Sequence, residues 1–127
     1  MRLLRESDIL VVAAALTAQT RGVIDREKLA LMKRSAVIVN IARGAIIDEV
    51  ALAESISAGC LGGAALDAFA REPLPMTSPM RHLPGVVLTP HAAGSTRQSR
   101  ARIWAPILDN LDRLASGRAL QNVVNAG

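Results

Sequence analysis

Aromatic side chains are almost missing from this 127-residue chain: Phe69 and Trp104 stand alone and there is no tyrosine. A core without large rings must be filled by Ala, Val, Ile and Leu. Half of the residues are hydrophobic, so the chain can bury a core and is one domain or a piece of one. The same scarcity argues against nucleic acid as the partner of the formal charge of +4, because the arginines are scattered with almost nothing between them for bases to stack on. Their one concentration, Arg97, Arg100 and Arg102, reads as a solvated helix face. Cys60 is the only cysteine, which excludes an internal disulfide and fits a reducing compartment. Following Gly59 at a helix end, it is expected to be a small buried or half-buried thiol, with no companion for a metal site. The longest apolar run, Ile9 to Leu16, is too short to span a bilayer, and the amino terminus lacks the layout of a signal peptide. A cytoplasmic protein with no membrane and no nucleic-acid partner is the expectation.

What the chain does contain is a repeated strand plan. Ile9 to Ala15 reads as a strand buried on both faces, followed by a polar turn from Thr17 to Gly22. Asp25 is a predicted N-cap for a short amphipathic helix that buries Leu29 and Met32, and a second strand runs from Ala36 to Ala42. Asp48 and Glu49 open the next helix, with Val50, Leu52, Ala53 and Ile56 as its buried face and Ser57-Ala58-Gly59 as its stop. A strand from Gly63 to Phe69 leads into a loop punctuated by Pro73, Pro75, Pro79 and Pro84, which should hold no regular structure and leave His82 on the surface. After a strand from Val86 to Thr89, Ser95 or Thr96 caps a long helix. Pro106 should break or bend it near residues 102 to 106, and it should stop at Ser116-Gly117, leaving 119–127 as an extended tail. Alternating strands and helices are the grammar of an α/β layer fold.

Three of these strands end in groups that carry chemistry. Val37-Ile38-Val39-Asn40-Ile41-Ala42 stops at Arg43-Gly44, the Gly63 strand ends at Asp67 and runs on to Glu72-Pro73, and the Val86 strand ends at Thr89-Pro90-His91. Ligands of open parallel sheets collect beyond the carboxyl ends of the strands. An arginine there suits a carboxylate or phosphate, which its planar fork grips with two parallel hydrogen bonds. Read alone, Arg43 is as well a surface arginine, Glu72 a solvated loop acid, His91 a turn histidine and Asp67 a strand-end cap.

Together, the stretches 31–33, 39–44, 63–69 with Glu72-Pro73, 88–91 and the closing Asn122-Val123-Val124-Asn125 resemble the carboxyl-terminal portion of the D-isomer-specific 2-hydroxyacid dehydrogenases. The resemblance covers nearly the whole chain. It implies a Rossmann-like parallel sheet, incomplete because only the second half of the dinucleotide-binding domain is represented (residues 1–95), plus a long helix and tail (96–127) that return toward a substrate domain. It implies a catalytic trio in which Arg43 holds the substrate carboxylate and adjacent carbonyl, His91 donates the proton when a 2-oxo acid is reduced, and Glu72 pairs with His91. It implies NAD or NADP as cofactor, lined at its nicotinamide side by Leu16, Thr17, Ile41, Ala42, Arg43, Asp67 and His91, with Gly94 completing the set. The partners would be a small 2-oxo or 2-hydroxy acid, and either a second copy of the chain in a homodimer or a missing amino-terminal half.

The departures are specific. Ala15 and Ala18 stand where the family usually carries proline, and no two glycines are separated by a single residue, so the G-x-G-x-x-G phosphate loop is missing. The acidic residue about twenty positions after that loop, which would hold the adenosine ribose, is missing with it. The Ile9 to Ala15 strand, which should be interior in a complete sheet, would then leave a flat apolar edge. Two other classes of function stay open on these grounds: a catalytically inactive remnant serving association, and an NAD-sensing scaffold of the corepressor kind.

Overall fold

The computed structural model describes residues 1–124, so the end of the predicted tail, from Asn125 on, lies outside the described residues. Four parallel strands, β1 (Ile9–Val12), β2 (Val37–Asn40), β3 (Gly63–Leu66) and β4 (Val86–Leu88), lie side by side in chain order. Helices α1 (Arg2–Glu6), α2 (Arg26–Leu29), α3 (Glu49–Ser57) and α4 (Arg97–Ala115) and two short 3-10 turns, at Gly44–Ile46 and Pro79–Arg81, complete the fold. The second turn lies in the proline loop that should have held no regular structure. Proline is tolerated at the start of a helical turn, where its missing N–H has no partner to lose. The chain divides into two compact units, Met1–Ala93 and one that begins at Gly94.

In the first unit the register aligns Leu10, Ile38, Ala64 and Val86 in one row across the sheet and Val12, Asn40, Leu66 and Leu88 in another. These rows enter the same core as Leu29, Leu52 and Ile56, so α2 and α3 cover this face. The intervening row, Val11, Val39, Ala65 and Val87, is open, with Val11 55% and Val87 61% exposed. The expected two-sided burial of the first strand is therefore corrected: β1 alternates, with Leu10 and Val12 inside and Ile9 and Val11 outside. A run of β-branched residues is compatible with either pattern, and only the layers packed against it decide. β1 is also an edge of the sheet among the described residues.

All four strands are shorter than the apolar runs that announced them. Paired ladders stop at Val12, Asn40, Leu66 and Leu88, after which single backbone bonds continue: Ile41 N–H to the Val12 carbonyl, Asp67 N–H to that of Asn40 (2.9 Å) and Thr89 N–H to that of Leu66 (3.0 Å). The carboxyl ends of the strands thus stay level while the chain turns out of the sheet.

The helix caps agree closely with the sequence reading. Asp25 accepts from the Lys28 N–H, and Asp48 accepts from the Val50 and Ala51 N–H groups. Arg26 pairs with Glu54, tying α2 to α3. Val50 was assigned to the buried face of α3, yet it is 66% exposed, while Ala51, Leu52, Ala53 and Ile56 are buried. In 100° steps both 50 and 51 fall outside the arc spanned by 52, 53 and 56, so the small Ala51 is buried by neighbours beyond that stripe while Val50 is left open. Cys60, expected buried or half-buried, is exposed just past the left-handed Gly59 that ends the helix.

The second unit is built on α4. Thr96 provides its cap: the Thr96 hydroxyl accepts from the Ser99 N–H while the Ser99 hydroxyl accepts from the Thr96 N–H. The helix runs unbroken through Pro106, so of the expected break or bend no break occurs. A proline's fixed φ is itself helical, so with about two turns on either side the ring removes one hydrogen bond without ending the helix. Residues 119–121 are not a free extended tail: Asn110 bonds both the N–H and the carbonyl of Gln121, and Arg113 reaches the Ala119 carbonyl.

Candidate functional site

The site is assembled where β2, β3 and β4 end. After Asn40 the chain makes a tight turn whose geometry is held by the buried Asn40 side chain: its amide oxygen accepts from the Ala42 N–H and its amide nitrogen donates to the Arg43 carbonyl, both at 3.0 Å. Arg43 comes next in extended conformation, exposed, with one guanidinium N–H donated to the Ala42 carbonyl at 2.7 Å. Gly44 then passes directly beneath the backbone of residues 69 and 70. A Cβ at this position would lie 1.9 Å from the Phe69 carbonyl carbon.

That contact places the segment bearing Glu72. One Glu72 oxygen accepts from the Phe69 N–H at 3.0 Å, and the other meets His91 Nδ1 at 2.7 Å. Two ties therefore aim the carboxylate, one to its own loop and one across to the turn after β4. The bond to His91, then that to Phe69, hold the Glu72 carboxyl below its ordinary pKa, with the nearby charges of His91 and Arg43 adding to the effect. The Glu72–Pro73 peptide bond is cis. Glu49 at the start of α3 accepts from the Ala70 N–H, and its own carboxyl is pushed up, chiefly by burial and further by the like charge of Glu72.

His91 occupies the left-handed backbone region at φ +53°, which a residue with a Cβ seldom adopts. Its turn is fastened to Asp67, just past β3: the Asp67 carboxylate accepts from the Thr89 hydroxyl at 2.6 Å, the Ala92 N–H at 2.8 Å and the Ala93 N–H at 2.9 Å. Burial raises the Asp67 carboxyl, but these bonds and the His91 charge outweigh it, and the net displacement is downward. Beside the Glu72–His91 pair lies a cleft of about 280 Å³, walled by Phe69, Pro73, Leu74 and Leu88 and open at its polar corner to both members of the pair.

Of the other sequence-predicted residues, Leu16 is half-buried against the core, and Thr17 is exposed in a turn whose N–H donates to the Thr20 hydroxyl. Ile41 is 48% exposed beyond β2, beside the buried Ala42. Gly94 opens the second unit, where its carbonyl accepts from the Ser99 hydroxyl. His82 is exposed, as expected. Among the described residues no cluster of three His, Cys, Asp or Glu could hold a metal, and no helix is long and apolar enough to cross a membrane.

A family model for the NAD binding domain of the D-isomer specific 2-hydroxyacid dehydrogenases matches residues 1–93. This chain belongs to that family. It is 46% identical over 123 residues to a glyoxylate/hydroxypyruvate reductase B of Pectobacterium carotovorum, a match covering 97% of this chain and 38% of that protein. Among solved structures, a D-isomer specific 2-hydroxyacid dehydrogenase from Xanthobacter autotrophicus in complex with NADPH and MES aligns with a TM-score of 0.80 at 37% identity, over 97% of this chain and 39% of the other. D-lactate dehydrogenase with NAD+ from Lactobacillus jensenii aligns with a TM-score of 0.89 at 28% identity, over 98% of this chain and 41% of that one. The chain therefore spans about two-fifths of the length of the family members it matches.

Four contributors to this site had no role assigned from sequence. Asn40, Gly44 and Thr89 sit inside the recognised motifs, but only the fold shows what they hold. Glu49 was read solely as a helix opener. For Asn40 a signal was available: an amide closing a run of buried β-branched residues must find partners for both its ends, and the nearest are in the adjoining turn.

Proposed function

We propose that this chain contributes the substrate-anion and proton-transfer side of a site that interconverts a 2-oxo acid and a D-2-hydroxy acid with NAD or NADP. The observation that carries the reading is the Glu72 carboxylate joined to His91 at 2.7 Å with the Arg43 charge close enough to act on it. An imidazole bonded to a carboxylate holds a proton ready for an oxygen that gains negative charge, and Glu72 fixes which ring nitrogen faces away from it. Arg43 supplies positive charge and a two-pronged grip for the substrate carboxylate. Arg43, Glu72 and His91 are the proposed catalytic residues.

The chain's residues fit one end of the cofactor. The exposed Ile41 just beyond β2, with Ala42 beside it, and Leu16 beyond β1 are the apolar residues proposed for the nicotinamide ring, with Thr17, Arg43, Asp67 and His91 as its proposed polar surroundings. No Gly-x-Gly pair in this sequence offers a pyrophosphate cradle. When bound, the cofactor supplies the hydride. We place residues 1–95 in the cofactor domain and the stretch from 96 on outside it. A homodimer or an accompanying amino-terminal half completes the assembly, in the cytoplasm.

Glyoxylate reduction followed by loss of NADH absorbance, in the gene product that carries this chain, tests the reading. His91→Ala should lower kcat by about 10²- to 10⁴-fold, and Arg43→Ala should raise KM and lower kcat together. Unchanged kinetics in both variants would remove the assignment. The outward apolar residues of edge strand β1, Ile9 and Val11, favour one second reading, an inactive association module, and a fluorescence titration showing no NADH binding would support it.

A further inference from the structure

Asn40 and Asp67 are the buried polar side chains of the core among the described residues, at 1% and 4% exposure. They occupy equivalent places, Asn40 ending β2 and Asp67 just beyond β3, and the Asp67 N–H donates to the Asn40 carbonyl at 2.9 Å. A buried polar group is costly unless its bonding capacity is met, and where it is met shows what it organises. Every side-chain bond of these two goes to a site-bearing turn. Asn40 holds residues 42 and 43 from both amide ends, and Asp67 holds residues 89, 92 and 93, on either side of His91. His91 keeps its left-handed φ of +53° inside that bracket, as a strained residue does only where its surroundings impose it.

We infer that Asn40 and Asp67 are positioning residues, joined by one backbone bond, each of which holds one side of the spacing between Arg43 and His91. The inference rests on the roles proposed for Arg43 and His91. Asp67 then works through the turn it holds, whatever it also touches on a bound cofactor. The two arms are separable: Asn40 governs the arginine turn, Asp67 with Thr89 the histidine turn.

The test is NMR on the isotope-labelled 127-residue chain, reading amide hydrogen exchange at Ala42, Ala92 and Ala93 and the titration midpoint of the Glu72 carboxyl carbon. Asp67→Asn should speed exchange at Ala92 and Ala93 by about tenfold or more while sparing Ala42, and should raise the Glu72 midpoint as His91 comes loose. Asn40→Ala should speed Ala42 by a similar factor and spare Ala92 and Ala93. Thr89→Val removes a single bond and should give a weaker form of the Asp67→Asn pattern, reversed in Thr89→Ser. This pair carries the test should Asp67→Asn not fold. Equal acceleration of all three amides in each variant, or none, overturns the inference. Kinetics separate it from the functional reading. Loss of kcat at near-constant KM in Asp67→Asn and a raised glyoxylate KM in Asn40→Ala support both, whereas selective exchange with no kinetic effect of His91→Ala leaves the positioning intact and removes the reaction.

Discussion

Gly44→Ala is the smallest change that should dismantle the site. The new methyl carbon would lie 1.9, 2.2 and 2.4 Å from the Phe69 carbonyl carbon, the Ala70 nitrogen and Phe69 Cα, all backbone atoms that no rotamer change can move. Ordinary contact begins at 3.4 Å, so residues 69 and 70 must retreat by 3.4 − 1.9 = 1.5 Å. That displacement stretches the Ala70 N–H bond to Glu49, now 2.5 Å, and the Phe69 N–H bond to Glu72, now 3.0 Å, beyond useful length. Overpacking costs about 1–3 kcal/mol, more where nothing can yield. With the Glu49 bond lost as well, a destabilisation of about 3 kcal/mol is expected, a large part of the ~5–15 kcal/mol that holds a domain folded. Urea unfolding monitored by far-ultraviolet circular dichroism reads it directly. For a slope of about 1–3 kcal/mol/M, the midpoint should fall by roughly 1–3 M. Gly94→Ala is the matched control, because nothing lies within 4 Å of the added carbon and its backbone is not left-handed. If both glycine variants unfold at the wild-type urea concentration, the close approach of the two turns is not a constraint and the reasoning fails.

Leu52→Ala in α3, where the side chain is 0% exposed, should lose about 2–5 kcal/mol, whereas Val50→Ala, at a position 66% exposed, should stay within about 0.5 kcal/mol; the same urea assay checks the contrast. Val11→Lys on edge strand β1 should reduce self-association in sedimentation velocity with little change in unfolding midpoint, since a lysine on an edge blocks strand-to-strand pairing. Because the Glu72 carboxyl is depressed, it stabilises the fold above the ordinary carboxylate range, and that contribution is lost as pH falls through its lowered value; Glu72→Gln should therefore flatten the acid limb of a thermal-midpoint-versus-pH curve. Glu49 has the opposite sign. Its raised carboxyl favours the fold at low pH and loses that advantage as pH rises through the shifted value, so Glu49→Gln, which keeps an acceptor for Ala70, should gain in relative stability toward neutral pH in the same measurement.

The parallel order of strands and the caps at Asp25, Asp48 and Thr96 were readable because they depend on neighbours in sequence: apolar runs, turn residues, a side chain three positions from an N–H. So was the meeting of Glu72 and His91, which the motifs brought to one sheet end. What escaped depends on which surfaces meet. Helix periodicity sets Val50 nearer than Ala51 to the stripe of Leu52, Ala53 and Ile56, and only the surfaces packed on α3 bury the second and leave the first open. Ile9 and Val11 match Leu10 and Val12 in character, and only the missing layer above them makes them outward. Pro106 was weighed by its local cost, whereas a long helix can absorb one lost bond. For Asp67 the resemblance implies a cofactor contact and its position alone a strand-end cap, and neither signals that its carboxylate engages three donors from residues 89 to 93, some two dozen positions away.

The left-handed backbone at His91 sets local foldability against the chemistry proposed for its imidazole. Glycine would sit there without strain, and asparagine nearly so. A screen of this chain that rewards only heat resistance should therefore drift toward those two residues at position 91, returning a sturdier molecule that has given up its imidazole.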